Sequence, residues 1–447
     1  MAWKIYRSQF IVINVVNGSN FQIEQQCPQC GAPIILDEAD RILSCKFCRT
    51  RVYLAAEDYF RFYIPPAEGI SETIYFIPYW RIKGLSYIIK EKDPDKGHQG
   101  TLLSYSISSS IREMEISNKY FDINFLSFDS QWLPHSLGLR PQAMKLKFVG
   151  SNEKEGKFLR SYNTSRDTVI KNYQARTGGT HKEIFIGETA SVIYSPVYCS
   201  HGRIYDAVLK KPLDLQTKDL DVEQTLISAP DEKWHIDFLP LLCPNCGADL
   251  PGEKDALIIF CDNCNSAWHP SNKSFTKVKF SAWQEQGDDI TYLPFWQLKV
   301  KITGFQLETY ADLIRIANLP KAPTAEWQKT PFYFFVPAFK LNPALFLRWC
   351  RQLTATPPPK DLTADFPAKK IHQVTLPVNE ALESSLLTLS SLIADKRNLA
   401  ELLSSLDFTL EDSSLVLHPF KIRARELVHT KLGFTIDCAA LNMGAFL

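Results

Sequence analysis

Apolar residues fall mostly into short runs, rich in β-branched and aromatic side chains and bounded by glycine or proline, which is the pattern of β-strands. Phe10 to Val16, Thr73 to Tyr79, Leu85 to Lys90, Phe275 to Phe280, Leu298 to Ile302 and Phe332 to Val336 are predicted as strands. Phe332 to Phe339 is too apolar to be left in water and is expected inside. Helical spacing of leucine and alanine is clearest at Val378 to Ala394 and Lys396 to Leu406, and Pro343 to Leu353 places a proline where a helix tolerates one. Earlier in the chain Ser165 to Ala175 is the expected helix. Gly97 to Gly100, Ser104 to Ser110 and Pro357 to Pro359 read as loops. The fold class is therefore α+β and β-rich, with mainly antiparallel sheets and a few helices.

Eight cysteines interrupt this pattern in two equal groups. Cys27, Cys30, Cys45 and Cys48 recur as Cys243, Cys246, Cys261 and Cys264 at a constant offset of 216 (243 − 27). Each group opens with C-P-x-C-G-A and closes with C-x-x-C, the spacing of a structural zinc ribbon. Four thiolates fill a tetrahedral shell and leave no position for a reacting water, so two zinc ions per chain are expected in structural roles. Glycine after the first pair, Gly31 or Gly247, lets the backbone bend around the ion; Arg49 and Asn265 must take the same turn after the second pair. His269, five residues after Cys264, is an alternative ligand that a complete thiolate set makes unnecessary.

The offset outlasts the cysteines. Phe76-Ile77-Pro78-Tyr79-Trp80 matches Tyr292-Leu293-Pro294-Phe295-Trp296 in the same register, and Ile193-Tyr194-Ser195-Pro196 resembles Val416-Leu417-His418-Pro419 with slipped spacing. Two duplicated halves are expected, 1–220 with a ribbon at about 24–54 and 221–447 with a ribbon at about 240–270, joined between Pro212 and Asp231. A proline between aromatics breaks a strand ladder, which predicts an edge strand or a bend at Pro78 and Pro294. Trp80 and Trp296 are expected to wedge each ribbon against its own domain; the other reading is an aromatic groove for a peptide.

Charge narrows the partners. The formal net charge is only +1, against the basic excess expected of a phosphate-neutralising domain, and Asp249, Glu253, Asp255 and Asp262 make the second ribbon acidic. Arg41, Lys46, Arg49 and Arg51 give the first ribbon a modest basic excess, read as a solvated face. No apolar run approaches the roughly 20 residues of a membrane helix, no secretory signal is visible, and the cysteine usage fits a reducing compartment, so the expected location is cytoplasmic. Cys199, Cys350 and Cys438 have no counterpart between the halves and read as buried apolar residues. Walker A, nucleophile-elbow, H-E-x-x-H and dinucleotide signatures are absent, the nine histidines are scattered, and no catalytic residue is assigned.

Over about 25 residues in each half the chain resembles bacterial and archaeal proteins with C-P-x-C-G zinc ribbons. That resemblance implies an adaptor or docking module within a larger assembly. The leading expectation is a non-enzymatic scaffold that contacts other proteins. Nucleic-acid binding through the first ribbon, and an enzyme with a site between the halves, stand as alternatives.

Overall fold

Ile74–Glu91, apolar on both faces, is a single strand of 18 residues in the computed structural model, running straight through Pro78 and Gly84 where the sequence suggested two strands. The structure describes residues 20–91, 114–127, 133–150, 156–160, 182–213, 234–271, 273–367, 369–395 and 399–444. The predicted strand Phe10 to Val16, the predicted helix Ser165 to Ala175, the loops at 97–100 and 104–110, and nearly all of the junction from 212 to 231 lie outside them.

Two long antiparallel pairs organise the chain. Ile74–Glu91 pairs with Lys182–Ser200, and Ile290–Thr303 pairs with Asp407–Arg423. A short strand lies parallel to the second member of each pair, Phe60–Tyr63 in one and Phe280–Trp283 in the other. Each second member then turns back in an antiparallel hairpin, to Arg203–Asp206 and to Glu426–His429.

Pro78 and Pro294 are not on edges, which corrects the sequence expectation. Pro78 lies opposite Tyr194 and Pro294 opposite Leu417, each inside a long ladder. Tyr194 spends its carbonyl on Ile64 N–H (2.9 Å) on its other side, so Pro78 faces a non-bonded position where its missing N–H is not required. The proline carbonyls stay in use: Pro78 accepts from Ser127 N–H (3.1 Å) and Pro294 from Ala338 N–H (3.0 Å).

Helices cover the second pair. Pro343–Thr354 and Val378–Leu392 form as their spacing predicted, and Leu399–Ser405 is the described part of the third predicted helix. Asn342 caps the first of these through Ala344 N–H (3.0 Å) with Pro343 at its first turn. Tyr310–Ile316, too short to show a period, is closed by a capping box between Thr309 and Asp312. Phe334–Pro337 is a buried strand beside Ile290–Thr303, as its apolar run required. One continuous core joins Leu85, Tyr87 and Ile186 of the first long pair to Trp296, Phe346 and Leu389 around the second. Among the described residues no helix is long and apolar enough to cross a membrane.

Beyond residue 234 the chain returns to its beginning: Asp237–Pro240 pairs antiparallel with Arg51–Ala55, immediately after the last cysteine of the first group. Gly150 permits the approach, since a Cβ there would sit 2.6 Å from the Trp234 carbonyl oxygen.

Candidate metal centres

Each C-x-x-C sits on a tight turn closed by its own backbone. Gly31 N–H donates to Cys27 O (2.9 Å) and Cys27 N–H to Ala32 O (2.9 Å); Gly247 N–H donates to Cys243 O (2.8 Å) and Cys243 N–H to Ala248 O (2.8 Å). Gly31 and Gly247 share a φ of 73°, the left-handed region that glycine enters without steric cost. Arg49 and Asn265 take that conformation after the second pair, at φ 63° and 51°, as the missing glycine demanded.

These turns bring the sulfurs together. Cys27 and Cys48 Sγ are 3.6 Å apart, as are Cys30 and Cys45; Cys243 and Cys264 are 3.5 Å apart, and Cys246 and Cys261 3.6 Å. In each group all four sulfurs lie within 4.8 Å of one another. Disulfides at about 2.05 Å are ruled out, whereas four thiolates about 2.3 Å from a tetrahedral ion would be spaced by about 3.8 Å. Both groups can therefore hold a metal ion. The burial order is also the same: the first and third cysteines are buried, the second exposed and the fourth half-buried. Crowding drives the thiol protons apart. Contacts with Thr50 lower Cys48 to about 6, and burial above all pushes Cys261 up to about 12.

Residues that sequence reasoning passed over complete each centre. Thr50 Oγ1 lies 3.2 Å from Cys48 Sγ, and Ser266 Oγ lies 3.0 Å from Cys264 Sγ while accepting from Trp268 Nε1 (2.8 Å). Both hydroxyls stand two positions after the last cysteine and keep the 216 offset (266 − 50), a signal present in the sequence. His269 lies in the strand Ser266–Ser271, opposite Thr276, and belongs to neither sulfur group.

The two centres are packed on one another. Ile42, Tyr53 and Ala55 share an apolar cluster with Leu241, Cys243, Leu250, Cys261 and Trp268. Lys254 O accepts from Ile42 N–H (2.9 Å) and from Arg41 N–H, Arg51 Nη2 donates to Gly252 O (2.8 Å), and Lys254 Nζ reaches Asp40 (3.2 Å). Two of the four basic residues credited to a solvated face are thus engaged in this contact; Lys46 and Arg49 remain exposed.

Trp80 does not touch the first centre, against expectation. It is buried among Tyr63, Phe76, Phe158 and Tyr194, and the residue turned to the first centre is its neighbour Arg81. The Arg81 guanidinium, fully buried, donates to both oxygens of Glu38 (2.9 and 3.2 Å), which sits between the two cysteine pairs, and also to Asp122. At the corresponding place in the second pair stands Gln297 (297 − 81 = 216), which accepts from Ser414 Oγ (3.3 Å). Of the remaining cysteines Cys350 is in the core, where burial raises its thiol, and Cys199 and Cys438 are half-buried. Compared with protein families, with curated proteins and with solved structures, the chain matches none.

Proposed function

We propose that this protein is a non-catalytic cytoplasmic scaffold of two duplicated halves, residues 1–220 and 221–447, each carrying one structural zinc ion, which docks other proteins through the face around its first metal centre. The observation that carries the reading is the mutual packing of two closed four-thiolate centres. Cys243 and Cys261 lie in the same apolar cluster as Ile42 and Tyr53, so the ions act as staples at the junction of the halves. All-sulfur shells favour zinc over harder cations.

Register supports duplication beyond the ribbons. Opposite the two prolines stand Tyr194 and Leu417, and opposite Phe76 and Tyr292 stand Pro196 and Pro419, each pair 223 apart (417 − 194, 419 − 196). The same offset carries the hairpins, where Val197 faces Asp206 and Phe420 faces His429. It also carries the turns that follow: Asp206 Oδ1 accepts from Val208 and Leu209 N–H, and His429 Nδ1 from Lys431 and Leu432 N–H. Both long ladders slip register at one place, beside Lys83 and beside Lys299.

The docking face is read from Phe47, 74% exposed between Cys45 and Cys48, with Ile35 also exposed on the same ribbon. Aromatic anchors of this kind dominate protein interfaces. A nucleic-acid role is disfavoured because Arg41 and Arg51 are used internally. The test is affinity capture from the native host with the full chain and a Phe47→Ser variant, alongside elemental analysis. Loss of captured protein at unchanged zinc content supports the reading. Tight RNA or DNA binding that falls steeply with salt and requires Lys46 and Arg49 overturns it.

A further inference from the structure

The second hairpin differs from the first in one chemical respect. The position of Asp206 is filled by His429, and the position of Ser195 by His418, so two imidazoles that are 11 residues apart in sequence meet inside the core. His418 Nδ1 is 2.9 Å from His429 Nε2. His418 is 1% exposed and its ring lies against Phe295, at 4.8 Å between centroids, and Trp283, at 5.9 Å.

The proton positions on this pair follow from the backbone. Lys431 and Leu432 N–H both donate to His429 Nδ1 (3.1 Å each), so that nitrogen carries a lone pair and the proton of the neutral ring is on Nε2. His429 Nε2–H then donates to His418 Nδ1, which places the His418 proton on its own Nε2. Burial keeps both rings neutral: it holds His418 well below its ordinary value and, helped by the Lys431 cation, lowers His429 to about 3. His418 Nε2 has no hydrogen-bond partner among the described residues. It lines a small cleft of about 200 Å³ with Trp283, Phe335, Leu353, Pro357, Pro359 and Leu432.

We propose that this cleft is a binding site for a small uncharged ligand that presents a single carbonyl-type acceptor on an apolar body, with His418 Nε2–H as its donor. Each element of the chemistry follows from the wall. A buried donor left unmet is unfavourable, so an acceptor is selected. A metal would need a lone pair at Nε2, which the two backbone amides deny. A carboxylate would lose its hydration to apolar walls for one neutral hydrogen bond, and the nearby Lys431 is already paired with Glu285 at 2.7 Å. The volume lies below the roughly 300 Å³ at which pockets for drug-sized ligands begin, so one ring or a short chain is the size that fits. The site is separate from the metal centres and independent of the scaffold reading.

The test uses the zinc-loaded full chain labelled with ¹⁵N, with acetophenone as the acceptor probe and toluene as its acceptor-free match. A long-range ¹H–¹⁵N spectrum is expected to show His418 protonated at Nε2 and His429 protonated at Nε2. Acetophenone should shift the His418 Nε2–H resonance downfield and bind about tenfold more tightly than toluene, the ratio expected for one buried hydrogen bond. Leu432→Trp, at the half-buried rim, should abolish the shift while leaving the two-histidine tautomers unchanged. His418→Phe should bring acetophenone down to the affinity of toluene. An unprotonated His418 Nε2, equal affinities for the two probes, or an Nε2–H that saturating acetophenone leaves unmoved, meaning a site for water only, would each overturn the proposal.

Discussion

Arg81→Met should be among the most damaging single substitutions available outside the cysteines. Arg81 is fully buried, Glu38 is 3% exposed, and Asp122 shares the same guanidinium. Removing the cation leaves the Glu38 carboxylate buried without a partner, a situation that costs about 3–5 kcal/mol. Urea unfolding at saturating zinc would read this as a midpoint lower by about 1–1.7 M, taking a slope of about 3 kcal/mol per M. Combining Arg81→Met with Glu38→Met removes both charges, and most of the loss should return, giving a coupling of at least about 2 kcal/mol. The neutral Gln297 at the corresponding place makes that recovery reasonable, because the same strand geometry is maintained there without any ion pair. A loss below about 1 kcal/mol for Arg81→Met, the size of an exposed pair, would refute the assignment of Arg81 as the electrostatic link between sheet and metal centre.

Elemental analysis should find two zinc ions per chain, and Cys45→Ser should lower occupancy at both centres, since Ile42 and Tyr53 of the first pack on Cys243 and Cys261 of the second; full retention of the second ion would show the centres to be independent. Stability should be flat above pH about 6.5 and fall below it, because burial first of all depresses His372 to about 4 and His429 to about 3, so the unfolded chain takes up protons first. Each histidine contributes a slope of about 1.4 kcal/mol per pH unit between 6.5 and its folded value, and His372→Phe should flatten the acid limb by one proton in chemical-denaturation series across pH. Gly150→Ala places a Cβ 2.6 Å from Trp234 O at a φ of 79°, and it should cost at least about 1–3 kcal/mol in the same unfolding assay.

Local chemistry was readable from the sequence wherever a residue's role depends on its immediate neighbours. The eight cysteines, the left-handed turns at Arg49 and Asn265 and the helix beginning at Pro343 all follow from spacing and turn stereochemistry. What escaped depends on contacts between distant segments. Pro78 looked like a ladder-breaker because only the pairing with Tyr194 decides on which side its absent N–H falls. Trp80 and Arg81 are adjacent and point to opposite faces, and nothing in the sequence tells which face meets the metal centre. His418 and His429 showed no ligand spacing; a hairpin with its turn at Ala424 (φ 53°) brings them to 2.9 Å. Arg41 and Arg51 counted as surface charge until the second centre was placed against them.

The strand Arg51–Ala55 finds its partner Asp237–Pro240 only 182 to 188 residues later (237 − 55, 240 − 52). At roughly 5–20 residues per second of synthesis, the first metal centre emerges about 10–40 s before the surface that covers it. Its four thiols and the apolar side of Ile42 and Tyr53 are exposed for that whole interval. Zinc capture by the nascent chain therefore has to come first and closure of the junction second, and a shortage of zinc during translation would leave a sticky half-molecule with nothing to fold against.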